Sequence, residues 1–204
     1  MIIAALLLSD GALFSQHFED VYRVVENRMT VDASPQYAWE VIADFSGVSE
    51  FHALFDESIL LKGTKGIIEV GSERESHIPD GIYNVILKER ITELLEGSFY
   101  SYTVFDWENI GLEGMSVTYG VGVNEFGQTE IYNRTVYCMS SGMMTGLTRG
   151  KFERGSKDSL ISFKYYIETG DSEKNLKKLR KWYKKKGKEN EQKDLIVVNY
   201  TSSE

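Results

Sequence analysis

The sequence predicts a single α+β domain built on one antiparallel sheet, and three observations carry that reading. Eighteen glycines stand against two prolines, which marks a turn-rich β chain rather than a helical bundle. Six successive segments between Ser58 and Met139 alternate apolar with polar residues or are rich in β-formers. Helical starts flank them, at Ser34-Pro35 before and at Ser172 after. A chain of 204 residues, 42% hydrophobic and 26% charged, has the apolar mass for a sizeable core.

The elements follow in order. Tyr22 to Val31 reads as a strand with Val25, Met29 and Val31 on one side. Ser34 then caps a helix that Pro35 opens, and Ala38, Val41, Ile42 and Phe45 form its apolar face until Gly47. Val48 to Phe55 is expected to be a second short helix. Strands are expected at Ser58–Gly63, Ile67–Ile78, Ile82–Leu94, Phe99–Trp107, Met115–Val123 and Thr129–Met139. Asp80-Gly81, Glu96-Gly97 and Phe126-Gly127 mark turns between them. In the fifth of these strands Val117, Tyr119 and Val121 alternate with Thr118, Gly120 and Gly122, which implies a strongly curved or closely covered sheet.

Beyond Met139, Gly142, Gly146 and Gly150 recur every four residues among charges, and a loop or loosely helical lid is expected. Leu160 to Ile167 fits a strand and a helix equally. Ser172 is expected to cap a last helix whose stripe is Leu176, Leu179 and Tyr183. The organisation expected is an apolar segment over 1–20, one domain over 21–186, and a polar tail over 187–204 in which Leu195 to Val198 offers a docked strand. Met1 to Leu8 is too short to span a membrane. It reads either as the core of a short signal peptide ending near Ser15 or as a helix on the body; with no basic residue before it, a cytoplasmic chain is favoured over an exported one.

The net charge of −8 hides a segregation: residues 171–193 carry +6 and the rest −14. The acidic body argues against DNA binding. The basic run of Lys174, Lys177, Lys178, Arg180, Lys181 and Lys184 to Lys186 is read either as a solvated face complementing that body or, over 174–188, as a contact for a membrane surface or RNA. One cysteine, Cys138, sits in an apolar strand and reads as a buried structural thiol. His17, His52 and His77 have no metal-ligand spacing, and no phosphate loop or nucleophile elbow is present. No cofactor or metal is therefore expected. Oligomeric state has no signature in the sequence.

The order strand, two helices, six strands, helix resembles the START/Bet v 1-like superfamily. Val31-Asp-Ala-Ser-Pro-Gln-Tyr-Ala-Trp-Glu-Val-Ile-Ala-Asp-Phe45 looks like the opening of its polyketide cyclase/dehydrase and lipid-transport group. Gly71-Ser-Glu-Arg74 and Glu89-Arg90-Ile91 look like its strand arginine and its long strand. The resemblance implies a helix-grip fold: a curved seven-stranded antiparallel sheet wrapped on a C-terminal helix, with two short helices after the first strand. Two departures stand out. No proline follows the aromatics of Glu50 to Phe55, and roughly 15 to 30 residues separate the last strand from the final helix.

The resemblance also implies a ligand cavity between sheet and helix, and strand parity names its lining. Tyr83, Leu87 and Glu89 share the apolar parity with Val85 and Ile91. In related plant hormone receptors a glutamate at the position matching Glu89 faces the pocket; the alternative is a surface ion pair with Lys88 or Arg90. Tyr119 lies on the large-residue face of its strand, and Asn133 and Tyr137 share parity with Ile131. Tyr100 and Tyr102 form one set against Phe99 and Thr103, with the inward set left open. Arg74 either reaches into the cavity to hold an acidic ligand or joins an outer cross-strand pair. His77, by the turn matching the family's gate loop, is an acid/base candidate or a partly exposed strand end. Glu89, Tyr83, Leu87, Tyr119, Asn133, Tyr137, Arg74 and His77 are thus the candidate ligand-binding residues. The function expected is binding, carriage or sensing of a small hydrophobic ligand. Cyclase or dehydratase chemistry, and an interaction role through the basic helix, are the alternatives.

Overall fold

The computed structural model describes residues 22–190; the expected signal peptide or N-terminal helix and the expected strand at Leu195 to Val198 lie outside them. Seven antiparallel strands form one sheet: β1 (Arg23–Thr30), β2 (Glu57–Lys62), β3 (Glu73–Asp80), β4 (Tyr83–Leu95), β5 (Phe99–Glu108), β6 (Leu112–Val123) and β7 (Thr129–Met139). Their order is β1-β7-β6-β5-β4-β3-β2, so every neighbour pair except β1·β7 is a simple hairpin connection. Helix α1 (Pro35–Ile42) follows β1, α2 (Gly142–Thr169) follows β7, and α3 (Leu176–Asn190) ends the described chain. This is the helix-grip architecture that the order of elements implied.

Local chemistry accounts for the ends of the elements. The Ser34 hydroxyl accepts from the Tyr37 amide at 3.2 Å, and α1 buries Ala38, Trp39, Val41 and Ile42 as its spacing required. The second short helix shrinks to one 3₁₀ turn, Val48–Glu50. Its continuation fails because the Leu54 amide donates to His52 Nδ1 at 3.3 Å instead of entering a helical ladder. The expected strand from Ile67 begins only at Glu73, since Ile67 and Ser72 close turns onto Thr64 and Glu69. Asp80-Gly81 turns as expected, with Gly81 at φ +72°, a conformation that favours glycine.

The largest revision concerns residues 141–170. The expected loop or loosely helical lid is the first half of α2, a 28-residue helix capped by the Ser141 side chain and stopped by Gly170 in the left-handed conformation. The ambiguous stretch from Leu160 is its buried half, where Leu160, Phe163 and Ile167 face the core at helical spacing. The gripping helix therefore follows the last strand directly, and the expected gap disappears. Cβ atoms at Gly142, Gly146 and Gly155 would meet nothing within 4 Å, so the glycine spacing reflects no close helix packing. The basic helix α3 is a separate element laid against α2. Asn175, not Ser172, caps it, accepting from the amides of Lys177 (3.0 Å) and Lys178 (3.2 Å); Ser172 donates to the Glu50 carbonyl instead.

The alternation in β6 resolves into an inner face of Val117, Tyr119 and Val121 and an outer face of small residues. On that outer face the Tyr132 ring lies where a Cβ at Gly120 would be. The hydrophobic core sits between the inner sheet face, α1 and the second half of α2. The α2 backbone comes within 8 Å (Cα to Cα) of only two strands, β1 and β7. Helix α1 lies over β6 and β7, and across β3 to β5 the interior is closed by side chains and by the segment that follows α1, whose Phe45 carbonyl reaches Arg74; this is where the polar residues lie.

Candidate functional site

Strand pairing builds the centre of the site. Register places Arg74 of β3 opposite Glu89 of β4, and Ser76 opposite Leu87. Arg74 and Glu89 both point inward and are 1% and 0% exposed. The Arg74 Nε donates to Glu89 Oε2, and Ser76 Oγ donates to the same oxygen at 3.0 Å. Arg74 Nη1 donates to the Phe45 carbonyl just beyond α1 at 2.7 Å. The guanidinium lies over the Phe45 ring at 4.1 Å, with Phe55 at 5.1 Å and Tyr102 at 5.5 Å. Glu89 Oε1 is buried and has no hydrogen-bond partner.

Burial works against the charge of Arg74, but Glu89, Tyr102 and Tyr100 together outweigh burial and raise the guanidinium pKa. Tyr100 and Tyr102 sit beside this pair with stacked rings 6.4 Å apart, and Tyr119 lies 5.9 Å from Tyr100. Burial pushes all three phenols up, so they are neutral hydroxyls at physiological pH.

A second buried chain reaches the same aromatics. His52, fully buried after the 3₁₀ turn, accepts at Nδ1 from Leu54, which leaves the proton on Nε2. Nε2 is 3.0 Å from Ser159 Oγ of α2, and Ser159 is 2.7 Å from the Tyr119 hydroxyl. Burial, then the positive charges of Arg74 and Lys174, lower the His52 pKa to about 3. His52 is therefore a neutral imidazole joining loop, helix and sheet.

The eight residues singled out in the sequence separate into three groups. Arg74, Glu89, Leu87 and Tyr119 are all buried on the inner side of the sheet. Asn133 and Tyr137 are inward too, Asn133 opposite Tyr119 in the register. The Asn133 amide donates to the Ser156 carbonyl at 2.8 Å and its oxygen accepts from Ser156 and Asn27, which pins α2 to β7 and β1. Tyr137 stacks on Phe152 at 3.7 Å. Tyr83 and His77 stay outside. Tyr83 is 65% exposed because it begins β4 at the hairpin tip, beyond the covered part of the sheet. His77 has the parity opposite to Arg74; its Nε2 lies 2.8 Å from Glu75 and its Nδ1 3.6 Å from Glu57.

His52, Ser159, Ser76, Tyr100 and Tyr102 were not among the candidates. The tyrosines have a parity to which the sequence gives no side; Ser76 and Ser159 carry no motif, and His52 lies where a short helix is expected. The surface pairings of Lys88 and Arg90 go to Asp106 (2.7 Å) and Glu73 (2.8 Å), not to Glu89. Cys138 is buried, with its thiol donating to the Met139 carbonyl at 3.3 Å. Among the described residues no group of three His, Cys, Asp or Glu is placed to hold a metal, and no helix is long and apolar enough to cross a membrane.

Much of the basic run is used within the chain. Lys174 donates to the carbonyls of Ser49, His52 (3.0 Å) and Phe55 (3.4 Å), closing the end of the 3₁₀ segment. Arg180 pairs with Asp158, Lys178 with Glu173 (3.2 Å), and Lys186 with Glu168 (3.4 Å).

No family model and no curated protein sequence matches the chain. Solved structures do match. Ara h 8.0201 is 12% identical, with 72% of this chain covering 97% of that one at a TM-score of 0.59. The di-domain ARO/CYC StfQ from the steffimycin biosynthetic pathway is 10% identical at a TM-score of 0.63, with 78% of this chain covering 54% of that one. Ginseng major latex-like protein 151 from Panax ginseng is 13% identical at a TM-score of 0.51, covering 67% and 98%. The chain shares the helix-grip fold of these solved structures.

Proposed function

From the START/Bet v 1-like fold and its interior, we propose that the chain binds a small hydrophobic ligand between the sheet and α2, as a carrier or sensor. One observation carries this. An ion pair and a serine lie in an aromatic interior that α2 does not cover with backbone, and one carboxylate oxygen there lacks a partner. A region kept only for packing has no use for such a group, since a buried polar atom left unsatisfied costs about 1–3 kcal/mol. The first half of α2, with four glycines and exposed Met143 and Leu147, is the natural entry.

Native mass spectrometry of the purified full chain tests this, together with titration of a neutral apolar probe, N-phenyl-1-naphthylamine. The expected result is a stoichiometric small molecule released on denaturation, or saturable one-to-one probe binding. A clean apo mass together with no saturable binding overturns the proposal.

The cyclase or dehydratase reading has its own observation, the neutral His52 linked through Ser159 to Tyr119 near Arg74. It calls for His52→Gln and Tyr119→Phe to abolish turnover of a polyketone substrate while the chain still binds it.

A further inference from the structure

Resting on the ligand-binding reading, we infer the chemical class of the ligand: a neutral hydrophobic molecule carrying one hydroxyl or N–H donor, such as a phenol or alkanol. The binding group is Glu89 Oε1. Around the buried ion pair one side-chain oxygen is left over. Glu89 Oε2 already accepts from Arg74 and from Ser76. Arg74 has Nε committed to Glu89 and Nη1 to the Phe45 carbonyl, with aromatic rings of Phe45, Phe55 and Tyr102 over its face. Of the buried side-chain polar atoms of Arg74, Ser76 and Glu89, Oε1 is the one without a partner, so the unmet demand of this cluster is for a donor. Oε1 is an acceptor, fully buried and without a partner.

Charge leads to the same class. Arg74 and Glu89 neutralise each other, so the interior has no spare positive charge for an anion. The other positive group that burial could have placed there, His52, is neutral. An acid would bring its carboxylate against Oε1 and would have to displace Glu89 from Arg74. A phenol or alkanol donates its proton to Oε1 and leaves its apolar body among Tyr100, Tyr102 and Leu87. This replaces the acidic-ligand role that strand position alone left open for Arg74.

The test uses ligands of nearly one shape. The full chain is titrated by calorimetry with 2-naphthol, 2-methoxynaphthalene and 2-naphthoate. The expected result is 2-naphthol tighter than 2-methoxynaphthalene by roughly ten- to a hundredfold, the range for a hydrogen bond to a charged acceptor, with 2-naphthoate weakest. In Arg74→Met/Glu89→Leu, which removes both charges together, the affinities of 2-naphthol and 2-methoxynaphthalene are expected to converge. Equal binding of these two by the natural chain, or 2-naphthoate binding tightest, overturns the inference and leaves the ligand-binding reading standing. No binding of any of the three, with no binding of the neutral probe, overturns both. A preference for 2-naphthol that survives in the double variant assigns the donor site elsewhere and also overturns the inference.

Discussion

At the scale of single residues, the interior is a set of groups that depend on one another. Removing one member of the Arg74–Glu89 pair leaves the other charge buried and alone, at a cost of about 3–5 kcal/mol. Glu89→Ala is therefore expected to be strongly destabilised in urea, whereas Arg74→Met/Glu89→Leu recovers most of the loss. His52 links stability to pH. Its folded pKa of about 3 lies below the ordinary 6.5, so the unfolded chain binds the extra proton between those values. Stability is full above about 6.5 and falls as the pH drops toward 3, by up to about 1.4 kcal/mol per pH unit. His52→Gln is expected to remove that part of the slope, read as the urea midpoint from pH 7 to pH 4. Glu89 was legible in the sequence because Val85, Leu87 and Ile91 share its parity. Arg74 was legible as a candidate but its side was not, because β3 carries polar residues on both faces, and only its burial opposite Glu89 decides which face is inner.

At the scale of elements, α2 shows how local and tertiary preferences divide a helix. Its first half holds Gly142, Gly146, Gly150 and Gly155 and buries little, while its second half buries Leu160, Ile161, Phe163 and Ile167. Glycine costs about 1 kcal/mol relative to alanine in a helix interior, so the first half is intrinsically weak. That weakness made the segment read as a loop, and packing of the second half is what carries the helix through it. Gly146→Ala meets no neighbour within 4 Å. It is expected to stabilise the chain by up to about 1 kcal/mol and, if ligand passes this half of α2, to slow ligand release in stopped-flow displacement. Helix α1 was legible throughout because its start is local: Ser34→Ala is expected to cost about 1 kcal/mol in thermal unfolding. Gly120 in β6 is the opposite case, where its partner Tyr132 lies on another strand.

At the scale of the whole molecule, charge segregation becomes a clasp. The basic α3 lies on α2, and the residues just before it, Ser172 and Lys174, reach the 3₁₀ segment. Lys174 holds the carbonyls of the loop that carries His52, and Arg180 pairs with the largely buried Asp158. Arg180→Ala is expected to raise hydrogen exchange in residues 176–187 while β3 to β6 stay protected. The same helix had been open to reading as a solvated face or as a membrane or RNA contact; several of its cations are spent within the chain.

What the sequence determined by itself was whatever depends on near neighbours. It set the strand alternation, the Asp80-Gly81 turn, the cap and apolar face of α1, and with them the order of elements that identifies a helix-grip fold. Tertiary structure alone decided which helix grips the sheet, which face of β3 is inner, and that His52, Ser159 and Tyr119 meet. Periodicity is a property of one segment, but the inner side of a strand and the partner of a buried charge depend on a second segment. Glu89 and Arg74 are 15 positions apart and the His52–Ser159 contact spans 107, distances that only the paired sheet and the helix laid over it bring together.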